Sequence, residues 1–216
     1  MRRGRARAWP VLLGLLLPAA SFAQGVPAAE EVEEVEKAWS LGAALTWYFV
    51  PDQGNRGVPT VTADHGPLHL ELRYNYEALR TASVWVGWNF EFGETVSFGL
   101  TPIAGCMLGE AGGPALGVLV SIGWGPVSFS SQDEWVSDLK GGTGGFFYAW
   151  TELDVRPWEW LRAGVVAERT RVFHTAREVV FGPLLGVTVW KVDLSAYWFQ
   201  PGGIDQYFVA SVGVRL

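Results

Sequence analysis

The stretch LHLELRYNYE, residues 68–77, alternates apolar and polar side chains along its whole length. Its leucines and tyrosines share one side of the chain, and its charged residues and asparagine share the other. A period of two over about ten residues predicts a β-strand with one apolar and one polar face. The same alternation recurs elsewhere in the chain, at 41–49, 83–92, 115–124 and 207–216. The sequence therefore predicts an all-β fold.

The composition excludes several classes of protein. The chain has 216 residues, of which 49% are hydrophobic, and this supply of apolar surface excludes intrinsic disorder. Cys106 stands alone, which excludes a disulfide scaffold. A formal net charge of -6 argues against nucleic acid as a partner, because phosphates require a basic surface. A soluble β protein and a membrane β-barrel remain.

The length of the alternating segments separates these two classes. They run to 10–12 residues, whereas strands of soluble proteins average about 5–6 and a tilted strand needs about 9–11 to cross a bilayer. The polar face is rich in charge and in glycine, as a wet lumen would be. We therefore predict a transmembrane antiparallel up-and-down β-barrel, in which closure pairs every strand edge. A soluble periplasmic β-sandwich is the alternative.

The spacing of turn signals predicts the number of strands and their direction. Short turns at 92–95, 124–126, 156–159 and 190–191 alternate with longer links at 108–113, 136–143, 172–178 and 200–206. Outer-membrane barrels have short periplasmic turns and longer outer loops. Alternation alone gives 11 strands, and a further crossing at 56–62 (RGVPTVT) raises the count to 12, with both termini in the periplasm. A barrel of 10 strands with different pairing is the alternative.

The N-terminus has the pattern of an export signal. Four arginines precede a short apolar core at 9–20, and Ser21-Phe22-Ala23 places small residues around a cleavage site. Residues 1–23 are therefore predicted to be a signal peptide, whose removal changes the formal charge from -6 to -10. Residues 24–39 then form an acidic periplasmic N-terminal segment, and 40–216 form the barrel.

Twelve charged or titratable residues fall on the polar faces of the predicted strands, where they are expected to line the lumen: His69, Glu71, Arg73, Glu77, Glu91, Glu134, Glu152, Asp154, Arg162, Glu168, Asp193 and Arg215. Eight are acids and three are arginines, a balance that favours cations in a water-filled path. The alternative is a lattice of paired charges that fills the barrel. Six inward glycines would leave space, whereas Trp85, Tyr148 and Trp150 would occupy it, so the sequence leaves both readings open.

A second candidate site lies around the predicted outer loop 172–178, where basic residues cluster: Arg169, Arg171, His174 and Arg177. Guanidinium groups pair bidentately with phosphate, so this rim is predicted to contact the phosphates of lipopolysaccharide. The alternative is a solvated loop whose charge is balanced by Glu168 and Glu178.

No recognisable catalytic constellation is present in the sequence. The three histidines are His65, His69 and His174, and none lies in a Gly-x-Ser-x-Gly or His-x-Ser arrangement. One cysteine and scattered histidines offer no spacing for a metal. We therefore expect neither enzyme activity nor a cofactor or metal.

Three stretches resemble a known class of protein. The terminal YFVASVGVRL (207–216) resembles the final strand that the barrel assembly machinery recognises, with Leu216 where that pattern ends in Phe. Residues 73–93 and 146–153 resemble segments of small outer-membrane barrels. The chain is thus similar to a small Gram-negative outer-membrane β-barrel protein, which implies the bacterial cell outer membrane as its location. No catalytic residue is implied.

Taken together, these patterns predict a monomeric, porin-like protein that forms a narrow channel or transports small cationic or neutral solutes. The acid-weighted, glycine-dotted polar face carries this prediction. Two alternatives stay open. One is a lipid-active barrel that binds lipopolysaccharide or modifies lipids, and the other is a structural barrel with a plugged lumen.

Overall fold

The computed structural model describes residues 38–51, 54–140, 144–172 and 178–216, without the side chains of 171, 172 and 178. Several predicted features lie outside these described residues. They are the signal peptide, the acidic segment except for its last two residues, and the rim residues His174 and Arg177. The described part of the chain contains no helix that is long and apolar enough to cross a membrane.

The described chain is built from antiparallel β-strands. Their bounds are β1 Ser40–Phe49, β2 Arg56–His65, β3 Leu68–Tyr74, β4 Thr81–Trp88, β5 Phe90–Phe92, β6 Val96–Gly109, β7 Gly113–Trp124, β8 Val127–Val136, β9 Phe146–Trp158, β10 Leu161–Val172, β11 Glu178–Val189, β12 Val192–Phe199 and β13 Tyr207–Arg215.

The sheet closes on itself. Consecutive strands pair with each other except β4 and β5, which both pair with β6, and β1 pairs with β13. Strands β4 and β5 keep one register against β6, since Gly87 pairs with Ile103 and Phe90 with Leu100. In this register Trp88, the last residue of β4, lies opposite Pro102, which has no N–H to donate, and the gap at Asn89 follows it. β4 and β5 are therefore two parts of one crossing, and the barrel has the predicted 12 crossings; the alternative of 10 is wrong.

The connections alternate in length as predicted, except that the link 110–112 has three residues, as many as the turn 93–95. Longer links lie at one end of the barrel, at 50–55, 75–80, 110–112, 137–145, 173–177 and 200–206. Short turns lie at the other end, together with the start of β1 and the end of β13, at 66–67, 93–95, 125–126, 159–160 and 190–191.

Two strand boundaries near prolines differ from the sequence prediction. The weak strand predicted at 56–62 is β2, which continues to His65, and its pairing with β3 begins at Thr60, just after Pro59. The turn predicted at 156–159 lies at 159–160, because β9 continues through Pro157 to Trp158 at the edge of the barrel. Proline is tolerated at such strand ends, where no ladder hydrogen bond is lost.

The outer face of the barrel is apolar over most of its circumference. Large side chains on alternate strand positions are exposed, among them Leu45, Val61, Leu72, Val86, Leu116, Leu153, Val165, Phe181, Leu185 and Val212. Soluble monomeric proteins rarely expose a contiguous apolar band of this size to water. Such a face is typical of a membrane barrel, because it contacts the hydrocarbon of the bilayer.

Exposed tryptophans mark the end of the barrel that carries the short turns. Trp124, Trp158, Trp160 and Trp190 are 65%, 58%, 53% and 85% exposed, and the rings of Trp158 and Trp160 stack with centroids 5.9 Å apart. Tryptophan is enriched where a protein meets lipid headgroups. These positions correspond to the aromatic girdle of a membrane barrel.

A charge on the outer wall tests this orientation. Val165 lies mid-strand on β10 and is 55% exposed, so Val165→Arg is expected to lower the free energy of unfolding in lipid by about 2–4 kcal/mol. Urea titration of the refolded barrel in vesicles measures this change. Leu139→Arg, in the link between β8 and β9, is the control and should leave stability within about 0.5 kcal/mol. Equal effects of the two substitutions would mean that the β10 wall does not face lipid.

Candidate functional site in the barrel lumen

The first charged cluster of the lumen is centred on Arg73, whose side chain is fully buried. Its Nη2 donates to Glu71 Oε2 at 2.7 Å, and its Nη1 donates to Glu77 Oε1 at 3.3 Å and to Glu134. The guanidinium also lies over the rings of Tyr76 and Trp85, at 4.6 and 5.0 Å from their centroids. Because Arg73 is on β3 and Glu134 on β8, this contact crosses the lumen between strands that do not pair.

A buried histidine extends this cluster toward the short-turn end. His69 Nδ1 lies 2.8 Å from Asp64 Oδ1, and its Nε2 lies 3.5 Å from Glu71 Oε2. Nδ2 of Asn89 donates to the same Asp64 Oδ1 at 2.9 Å. We call the set Asp64, His69, Glu71, Arg73, Glu77 and Glu134 the Arg73 network.

A second charged cluster lies on the strands from β9 to β12. Arg162 Nη1 donates to Glu152 Oε2 at 2.7 Å and lies 3.6 Å from Asp154 Oδ2. Its Nη2 donates to Ser195 Oγ at 2.8 Å. The indole of Trp150 donates to the second oxygen of Glu152 at 2.8 Å. We call Glu152, Asp154 and Arg162 the Arg162 network.

Apolar side chains fill the part of the lumen next to β4, β6, β7 and β8. They form a buried cluster of Trp85, Ile103, Met107, Ala111, Ala115, Leu119 and Val136. We call it the apolar cluster. Trp85 connects it to the Arg73 network, because the indole N–H donates to Glu77 Oε1 at 3.1 Å.

Inward glycines accommodate the large side chains of the lumen. A Cβ on Gly105 would lie 2.5 Å from the ring of Trp85, and a Cβ on Gly186 would lie 2.4 Å from Nε of Arg162. The space that these glycines leave is therefore taken by neighbouring side chains.

A cavity of about 90 Å³ remains between the two networks. One wall is formed by small residues of β1, β2 and β13, including Gly42, Ala44, Thr46, Thr60 and Ser211. The other lining residues come from both networks and from aromatic groups: Glu71, Gln132, Glu152, Tyr48, Tyr76, Trp150 and Tyr197. Of the described residues, those of the apolar cluster do not line this cavity.

The remaining residues predicted for the lumen lie apart from these two networks. Asp193 pairs with Arg215, whose Nη2 lies 2.9 Å from Oδ2 of Asp193. Glu168 accepts a hydrogen bond of 2.9 Å from the hydroxyl of Tyr207. Glu91 is exposed and pairs in register with Gly99, near the short-turn end. The structure thus brings together eight of the twelve residues in the two networks.

Of the predicted basic rim, Arg169 is the member whose side chain is described. It points outward in register, and its guanidinium lies 4.9 Å above the ring of Phe147. Its Nε is buried without a hydrogen-bond partner. The backbone of Arg171 pairs with Phe147 on β9.

Several residues that shape the lumen were not predicted from the sequence. Asp64 lies beyond the crossing predicted at 56–62, and Gln132, Ser195 and Tyr197 show no sequence pattern beyond their inward strand parity. Glu77 was expected on a strand, but β3 ends at Tyr74 and Glu77 reaches Arg73 from the following link. Strand parity identifies the inner face and does not identify which side chains meet across it.

The enclosed charges and the apolar outer wall decide the class of protein. The chain is a β-barrel of the outer-membrane type. Apolar side chains face out and charged side chains face in, the reverse of a soluble protein. The resemblance that the sequence carries is therefore confirmed at the level of class.

The similarities to known proteins are distant. OccK3 (OpdO) of Pseudomonas aeruginosa is 12% identical, with 86% of this chain and 67% of that one covered and a TM-score of 0.45. OccK7 (OpdD) of the same organism is 11% identical, with 86% and 66% covered and a TM-score of 0.46. A mutant of the Rhodopseudomonas blastica porin is 9% identical, with 83% and 99% covered and a TM-score of 0.29. No family model and no curated protein match the chain.

The two described histidines have different surroundings. In the described part of the chain, the partners of His69 are carboxylates, and His65 packs its ring against Trp39 at 4.9 Å. No group of three or more His, Cys, Asp or Glu among the described residues is placed to hold a metal ion.

Removing the central base of the Arg162 network tests how much this buried pairing stabilises the barrel. Arg162→Met leaves Glu152 and Asp154 without their cation and is expected to cost about 3–5 kcal/mol of unfolding free energy. Arg162→Met with Glu152→Met and Asp154→Asn should recover most of this loss. Urea unfolding in vesicles gives both values.

The exposed pair Arg80–Glu110 provides the matched control. Its atoms are 2.9 Å apart, but the side chains are 75% and 55% exposed, so Arg80→Met should cost less than about 1 kcal/mol. A similar cost for Arg80→Met and Arg162→Met would contradict a structural role of the buried network.

Proposed function

We propose that this barrel resides in the outer membrane of a Gram-negative bacterium and lets small cationic or neutral solutes pass through its lumen. The observation that carries the proposal is the cavity of about 90 Å³ along the wall of β1, β2 and β13. Small residues on that wall, including Gly42, Ala44 and Thr46, leave room where the rest of the lumen is filled. The path would be narrow, of the size of water and small solutes.

The charges around this cavity support a preference for cations. Glu71 and Glu152 reach it from the two networks. Together the networks hold six carboxylates, on Asp64, Glu71, Glu77, Glu134, Glu152 and Asp154, against two arginines and one histidine. Rings of acidic side chains favour cations in narrow pores. Neutral solutes would find hydroxyl groups on Thr46, Thr60 and Ser211.

The competing function is a structural barrel whose lumen is plugged. The apolar cluster and the paired charges favour it, because they fill much of the interior. The two proposals differ in one observable property, the flow of ions through the refolded barrel.

Filling the cavity tests the transport proposal. Thr46 lines the cavity and its hydroxyl lies 3.0 Å from that of Ser211, so Thr46→Trp places a large ring in the narrow path. In planar bilayers the wild type should show cation-selective conductance, and Thr46→Trp should reduce it at least tenfold.

Ala196→Trp is the matched control, since Ala196 is exposed on the outer face of β12 and its ring would enter lipid. It should leave conductance unchanged. No conductance in the wild type across a range of salts would favour the plugged barrel, and equal conductance of Thr46→Trp would exclude the cavity as the path.

A second function, binding of lipid phosphate at the outer rim, rests on Arg169. Its outward guanidinium lies near the outer end of β10, with Nε buried and without a partner. Phosphate oxygens accept strong hydrogen bonds from such a group. Arg171, His174 and Arg177 would add positive charge around the same loop. The bound species would be lipopolysaccharide.

Replacement of the two strand arginines tests this contact. Arg169→Gln with Arg171→Gln should reduce the lipopolysaccharide that copurifies with the barrel several-fold, measured by mass spectrometry per mole of protein. Arg80→Gln, exposed on another outer link, is the control and should leave it unchanged. Equal copurification from all three proteins would contradict the phosphate contact.

The remaining partners follow from the ends of the chain. We propose that residues 1–23 are cleaved on export and that residues 207–216 bind the barrel assembly machinery. The final strand β13 closes the barrel against β1 within one chain. A monomer therefore pairs all strand edges without a partner subunit.

A further inference from the structure

Glu77 and Glu134 bring two carboxylates to one atom in the interior of the barrel. Oε1 of each contacts Nη1 of Arg73, and both side chains are 0% exposed. Ser83 Oγ and the indole of Trp85 also donate to Glu77 Oε1, at 2.7 and 3.1 Å. Gln132 donates to Glu134 Oε1 at 2.5 Å. One oxygen of each carboxylate is thus well satisfied.

The second oxygen of each carboxylate is buried without a partner. Neither Glu77 Oε2 nor Glu134 Oε2 has a hydrogen bond, although each lies in the water-excluded interior. An ionised carboxylate left in this state is costly, because nothing replaces the water it has lost. A protonated carboxyl avoids this cost, since its O–H can donate to the neighbouring acid.

The charges that surround the Glu77–Glu134 pair also favour protonation of one of the two carboxylates. On β3, Arg73 and Glu71 face it, with His69 beyond Glu71, and Tyr76 lies beside Arg73. β4 contributes the uncharged Ser83 and Trp85, and β8 contributes the uncharged Gln132. Three carboxylates therefore share one guanidinium, and even a protonated His69 leaves the Arg73 network, with Asp64, at four acids against two bases.

We propose that Glu77 and Glu134 form a proton-binding site in which the two carboxylates share one proton. A proton fits where a larger cation does not, because both side chains are fully buried and neither lines the cavity. The proton neutralises one of the two acids, whose second oxygen is otherwise buried without a hydrogen-bond partner. Arg73 then needs to balance only two negative charges.

The shared proton has a consequence for the lumen, and this part rests on the proposed function. The Arg73–Glu134 contact connects β3 to β8 beside the cavity that Glu71 and Gln132 line. Loss of the proton adds a negative charge, so the two acids repel and the contact across the lumen loosens. The site thus stabilises the narrow lumen at low pH, and the stabilisation is lost as pH rises.

Infrared spectroscopy tests the site without reference to transport. The folded barrel at neutral pH should show the C=O stretching band of a protonated carboxylic acid. Glu134→Gln and Glu77→Gln should each lose one carboxyl's share of that band, because an amide beside one carboxylate binds no proton. Asp193→Asn, which alters the separate pair with Arg215, is the control and should retain it.

Heat-modifiable migration on a gel establishes that each variant is folded, and two independent variants cover the case in which one does not fold. A wild-type spectrum without the band would overturn the proposal, as would folded Glu134→Gln or Glu77→Gln barrels that retain it in full.

Conductance tests the role of the site. Wild-type conductance should rise several-fold from mildly acidic to mildly alkaline pH, whereas Glu134→Gln should stay at the acidic level throughout. A wild-type conductance that does not change with pH would overturn the gating role. If the wild type conducts no ions at all, the proposed transport fails, and the infrared band alone decides whether the proton site exists.

Discussion

The guanidinium of Arg73 holds together strands that share no backbone hydrogen bonds. It lies between the rings of Tyr76 and Trp85 and binds acids from β3, from the link after β3 and from β8. A lone buried cation would be costly, and so would the acids without it. The interior of the barrel is therefore arranged around this group, with a buried apolar cluster on one side and the cavity on the other.

This division of the lumen connects the fold to the proposed function. Large side chains from β4, β6, β7 and β8 fill one part, while Gly42, Ala44 and the hydroxyl residues of β1, β2 and β13 leave a narrow space in another. A second buried apolar cluster, which includes the cavity-lining Tyr48 and Tyr197, packs beside that space. A barrel of 12 crossings is small enough for side chains to reach across it. In the proposed function, side chains rather than the diameter of the sheet would limit solute passage.

The sequence predicted the barrel well because its information is local. Period-two alternation fixes which residues face out, and even the weak strand around Pro59 could be placed by requiring both termini on one side. The break opposite Pro102 also has a local cause.

Contacts across the lumen could not be predicted in this way. Arg73 and Glu134 are 61 residues apart in the sequence and meet because of barrel closure. Glu77 reaches the same site from outside a strand. Inward Gly105 suggested open space, but the structure fills that space with Trp85. Which side chain fills which gap depends on neighbouring strands, and no single-strand pattern contains it.

We infer that water reaches the cavity along β1, β2 and β13 and does not reach the apolar cluster. Single cysteines at Thr46 and Thr60, in a Cys106→Ser background, should react with a small, positively charged, membrane-impermeant thiol reagent in intact vesicles. Cysteines at Ala115 and Leu119, in the apolar cluster, should not react while the barrel is folded. Equal labelling at all four positions, or none at Thr46 and Thr60, would contradict the account.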